Sequence, residues 1–111
     1  MAEYELSLKA DQDLTGIYHY SFETFREKQA DKYLLDFDRC LKNLANQFDK
    51  GREANDIEEG IYRYQHASHM IFYVISSSGI FVTRILHQNM DHKQHFGNEQ
   101  IPALKGDAST S

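Results

Sequence analysis

Residues Tyr4 to Leu8 read YELSL, with Tyr4, Leu6 and Leu8 alternating with Glu5 and Ser7, the period of a strand with one buried face. From Ala10 to about Arg26 the spacing changes. Leu14, Ile17, Tyr18, Phe22 and Phe25 draw one helical face, and Asp11 and Asp13 suit the first turn, where the helix dipole favours acids. Leu34, Phe37, Leu41, Leu44 and Phe48 advance by 3, 4, 3 and 4 and predict a second helix. The junction around Glu27 and Lys28 is short, so the helices are expected to form an antiparallel hairpin. Asp49 to Gly60 is charged and carries glycine, which predicts a connection. Residues 61–66, 69–76 and 79–87 are rich in β-branched and aromatic side chains, and HAS and SSG separate them. The expected architecture is α+β: an N-terminal strand, a helical hairpin and a three-stranded antiparallel meander, with the helices on one face of the sheet.

The strands do not alternate as a half-solvated sheet should. In 69–76, Ile71, Tyr73 and Ile75 oppose Met70, Phe72 and Val74; in 79–87, Ile80, Val82 and Leu86 oppose Phe81 and Ile85. Both faces are apolar, and one hairpin covers only one of them. The other face, with Met70, Phe72, Phe81 and Ile85, is therefore expected to be closed by the C-terminal tail, a second subunit or a partner.

The 111-residue length implies one domain, expected over residues 1–96, with 97–111, GNEQIPALKGDASTS, as a flexible tail. The single cysteine, Cys40, forms no internal disulfide and reads as a small thiol beside the apolar stripe of the second helix. No apolar run approaches the roughly 20 residues of a membrane span, and the N-terminus lacks the pattern of a signal peptide, so a cytoplasmic protein with no membrane contact is expected. No glycine-rich phosphate loop or nucleophile cluster calls for a cofactor. The net charge of −5 opposes direct nucleic-acid binding. That charge is unevenly spread: residues 1–60 carry 14 acids and 8 bases, whereas 61–96 carry Asp91 against Arg63, Arg84 and Lys93, with five of the six histidines.

The run from Gly51-Arg52-Glu53 through the Ile57–Gly60 turn, Tyr62-Arg63, HASHMIFYV and GIFVTRILHQNMD resembles the ParE branch of the ParE/RelE toxin superfamily. Ile71-Phe72-Tyr73 and Arg84-Ile85-Leu86-His87 with Met90-Asp91 are its most specific parts, and the similarity spans Glu3 to about Phe96. The resemblance implies a helical hairpin on an antiparallel sheet, with the first strand inserted among the others. It also implies a toxin that inhibits DNA gyrase and is neutralised by a cognate ParD-like antitoxin. The sequence departs from the common pattern at Val74, where relatives often carry Arg, and in lacking the proline that often precedes the Gly51-Arg52 pair. A contact made by that Arg is therefore not expected here.

The RelE branch cleaves messenger RNA on the ribosome, and in that alternative Arg63, Arg84 and His87 would hold the phosphate and activate the 2′-hydroxyl. Three Lys and Arg residues in the sheet half are a thin supply for RNA, which favours a protein inhibitor without catalytic residues. A relative that binds antitoxin but has lost toxicity is the third class. Asp91, His92 and His95 have helical ligand spacing, but two or three such groups make a solvated turn, and no metal is expected. Arg84 shares a predicted face with Ile80, Val82 and Leu86 and needs a carboxylate; Asp91, just past the strand, is the expected partner in a structural clamp. His87, Met90 and Lys93 complete the expected partner surface, and the uncovered face could also pair two copies of the free chain.

Overall fold

The computed structural model describes residues 2–88. The order is β1 (Glu3–Leu6), α1 (Leu8–Phe25), α2 (Glu27–Asn46), a 3-10 turn (Phe48–Lys50), β2 (Arg52–Glu53), β3 (Tyr62–His66), β4 (His69–Ser76) and β5 (Gly79–His87). The mixed sheet runs β1-β5-β4-β3-β2. β1 lies at the edge, parallel to β5, and is not inserted among the other strands as the resemblance implied. β2, inside the expected connection, adds Arg52 and Glu53 to β3 at the opposite edge. No helix among the described residues is long and apolar enough to cross a membrane.

Ser7, the last polar position of the predicted strand, ends it: its hydroxyl accepts from the Ala10 N–H at 2.9 Å and starts α1 two residues early. Arg26, at φ 81°, is the single residue that separates the helices. Ala10, Leu14, Ile17 and Ser21 form the inward side of α1. Phe22 and Phe25, expected on that stripe, are exposed because the hairpin tip, residues 22–29, is exposed throughout. Phe37, Leu41 and Leu44 of α2 pack on Ile71, Tyr73, Ile80, Val82 and Ile85. Gly16 lies inside α1, where a Cβ would meet nothing within 4 Å. Gly16→Ala is expected to raise stability by about 0.5–1 kcal/mol, read as a higher urea midpoint at constant slope, because alanine has less backbone freedom to lose.

A bulge overturns the expected parity of β5. Phe72 pairs with Arg84 while Tyr73 pairs with Val82, so Thr83 is the extra residue, and its hydroxyl donates to the Phe72 carbonyl at 3.2 Å. Ile85 consequently joins Ile80 and Val82 in the helix-side core, and Leu86 crosses to the far face. The far face is closed in part by a source not anticipated: Ala54, Ile57 and Ile61, from the segment between β2 and β3, pack with Phe72, Leu86, Met70 and Val74. Gly51 of the GRE motif lets this segment approach, because a Cβ there would press on the Tyr73 hydroxyl and lie 2.9 Å from the Arg63 carbonyl. The Tyr73 hydroxyl instead donates to the Phe48 carbonyl at 2.5 Å. Burial pushes that phenol up to about 12, so it remains a donor.

Candidate partner-binding groove

β1 accompanies β5 only as far as Val82, leaving the next backbone groups of β5 at an open edge. Side chains from the start of the helical hairpin seal it. The Ser7 hydroxyl donates to the Thr83 carbonyl at 2.8 Å, and Asp13 Oδ2 accepts from the Ile85 N–H at 3.0 Å. The same carboxylate takes Arg84 in two-point fashion, Nε to Oδ2 at 2.8 Å and Nη2 to Oδ1 at 3.0 Å. The pair is nearly out of water, with side chains 10% and 16% exposed. Three donors converge on one carboxylate, which offsets the desolvation of the charges. The acid that Arg84 required is thus Asp13 of α1; Asp91 of the expected clamp lies outside the described residues.

Beside this seal, the outward part of the hairpin and the ends of β4 and β5 bound a cavity of about 830 Å³. Its helix wall carries Gln12, Gly16, Ile17, Tyr20 and Phe25 from α1 and Lys32, Tyr33 and Asp36 from α2. Its floor carries Ser68, His69, Arg84, Ile85 and His87. A cleft that sets apolar surface among polar and charged side chains is a form a peptide groove takes. The hairpin creates it, because its tip extends past the sheet that its base covers.

Three histidines from successive strands cross this end of the sheet. His66 is paired with His69, and His69 with His87. The His69 and His87 rings are 5.4 Å apart, and Phe37 meets His66 edge-on at 4.7 Å and His69 at 5.9 Å. The Tyr33 hydroxyl lies 3.4 Å from His69 Nδ1. Burial lowers the proton affinity of His66 below the usual 6.5, with Asp36 opposing it. Burial lowers that of His69 too, followed by repulsion from His87 and His66. The unfolded chain takes these protons near 6.5, whereas the folded chain refuses them until lower pH. Their contribution to stability is therefore complete above about pH 6.5 and declines as pH falls through that value. Urea midpoints should drop between about pH 7.5 and 5.5, and the drop should shrink in His66→Gln/His69→Gln.

Of the residues expected to face a partner, Phe72 is buried at 0% exposure, and Ile85, at 2%, touches the groove floor only at its margin. The bulge explains Ile85; the covering 54–61 segment contributes to the burial of Phe72. Met70, Phe81 and His87 are half-buried, and His87 alone of these lines the groove. Met90 and Lys93 lie outside the described residues, as do His92, His95 and the tail 97–111. The cations of the RNA-cleaving alternative are tied to aspartates, Arg84 to Asp13 and Arg63 to Asp56 at 3.1 Å. Tyr33 reads in the sequence as a core residue and does pack against the core, whereas His69 was missed by sequence reasoning. The HAS turn was the available signal for His69, since a tight turn sets His66 opposite it.

Residues 4–92 match the family model described as the ParE toxin of the type II toxin-antitoxin system, parDE. The chain is 29% identical over 97 residues to Toxin ParE1 of Caulobacter vibrioides, covering 87% of this chain and 100% of that protein. It is 31% identical over 91 residues to Toxin ParE1 of Mycobacterium tuberculosis, covering 81% and 93%. The solved structure described as the chromosomal ParDE TA system from P. aeruginosa shares the fold at a TM-score of 0.65 and 19% identity, over 78% of this chain and 96% of that one.

Proposed function

The chain belongs to the ParE toxin family of type II toxin-antitoxin systems, and on that premise we propose that it inhibits DNA gyrase as a non-catalytic protein ligand and is neutralised by a cognate antitoxin seated in the groove. The open cleft between hairpin and sheet carries the second half of this reading. At about 830 Å³ it has room for the apolar face of a partner helix, with Tyr20 and Phe25 at its helix wall and Lys32, Tyr33 and His69 as polar anchors. Pairing of Arg63 and Arg84 with aspartates disfavours the RNA-cleaving alternative, which needs cations directed at phosphate. His87, at the end of β5, leads into residues 89–96, and this strand end is assigned to gyrase.

Purified chain added to a gyrase supercoiling reaction should stop it, and antitoxin from the partner gene should restore it. In cell-free translation the same chain should leave the message intact; codon-specific cuts there, with gyrase unaffected, would transfer the assignment to the RNA-cleaving class. Silence in both assays, with antitoxin still bound, would mark a relative without toxicity. Gly16→Trp builds an indole onto the groove wall from a position with open space around it. It is expected to weaken antitoxin binding at least about tenfold, roughly 1.4 kcal/mol, in titration calorimetry.

A further inference from the structure

We propose that His69 makes occupation of the groove dependent on pH, an antitoxin segment binding over the neutral ring and being released as the ring takes a proton; this rests on the reading that the groove receives the antitoxin. His69 stands on the groove floor, under Tyr33 and Phe37 of α2, and its ring is already half withdrawn from water. An occupant of the groove removes more of that water. Desolvation penalises only the charged ring, so occupation and protonation oppose each other. Linkage then requires the reverse effect: acid weakens the occupant's hold by the same factor.

The neighbouring histidines reinforce this direction, against an opposing pull from Asp13. From β3 and β5, His66 and His87 stand opposite His69 in the ladder, so protonation in the row sets like charges side by side. Arg84 lies on the same floor with its charge matched by Asp13, and Asp13 favours the charged ring. Two carboxylates face the ring's surroundings, Asp13 from α1 and Asp36 from α2. Asp13 is engaged by Arg84 and the Ile85 N–H. Asp36 sits 3.4 Å from Lys32 and 3.7 Å from Arg39. Tyr33 contributes a hydroxyl 3.4 Å from Nδ1, and which of the two donates follows the protonation of the ring.

The test uses the full chain and full-length antitoxin from the partner gene. Calorimetric titrations at about pH 7.5 and about pH 5.5, in buffers of different ionisation enthalpy, bracket the histidine range. Circular dichroism at both values records that the chain is folded. The dissociation constant is expected to rise about fivefold or more at the lower pH, with buffer-dependent heat that reports proton release on binding. In His69→Gln the ratio between the two pH values should fall below about twofold, whatever the absolute affinity, and the proton release should shrink with it. A wild-type affinity indifferent to pH, or the same pH ratio in His69→Gln, overturns the proposal while leaving the antitoxin assignment standing. Absence of binding at about pH 7.5 overturns the assignment itself and the proposal with it.

Discussion

Asp13→Ala is expected to lower folding stability by about 3–5 kcal/mol, because it strands the Arg84 guanidinium in a nearly dry site. The Ile85 N–H loses its acceptor at the same stroke, a further reason for the high end of the range. The loss should appear as a lower urea midpoint with little change in slope. Asp13→Asn keeps an acceptor oxygen but removes the charge, so an intermediate loss is expected. A double-mutant cycle with Arg84→Ala should give a coupling of about 1–3 kcal/mol, since the two groups are in direct contact. If Asp13→Ala costs less than about 1 kcal/mol, the carboxylate is not what seals the β5 edge.

The second large effect concerns the joint between α2 and the histidine row. Phe37 is fully buried and meets Tyr33 edge-on at 5.2 Å, with His66 and His69 against its other sides. Phe37→Ala leaves a cavity among elements tied at other points, so it cannot close completely, and a loss of about 3–5 kcal/mol is expected by chemical denaturation. The same cavity admits water to the imidazoles. The downward displacement of the His66 and His69 protonation equilibria should therefore diminish, seen by NMR titration of the ring protons. Phe37→Leu, which fills part of the volume, should recover much of the stability; a loss as large as for alanine would show that ring contacts rather than volume matter there.

Several features of the groove were within reach of the sequence, and others were not. That Arg84 needs a carboxylate followed from its place in an apolar strand. Which one did not: Asp13 lies 71 positions away, and its place in the first turn of a predicted helix already had a local explanation in the helix dipole. The bulge at Thr83 left no mark, because threonine is an ordinary strand residue. Its consequence is large. Continued from Ser76 opposite Gly79, an unbroken hairpin sets His69 opposite Leu86; the extra residue sets it opposite His87 and carries Ile85 into the helix-side core. The exposed hairpin tip was equally hidden, since Phe22 and Phe25 fit a helical stripe whether or not a sheet lies beneath them.

The sequence by itself determined the elements and their order, two helices against strands that are apolar on both faces, together with the resemblance to ParE toxins. Periods of 3.6 and 2 are properties of neighbouring residues and are readable along the chain. The tertiary structure decided which carboxylate meets Arg84, how β5 changes parity, that the 54–61 segment packs over Phe72, and that a groove opens where the hairpin outruns the sheet. These depend on contacts between distant segments and on where one element ends relative to another. No local period encodes that quantity, because it follows from packing the whole chain at once.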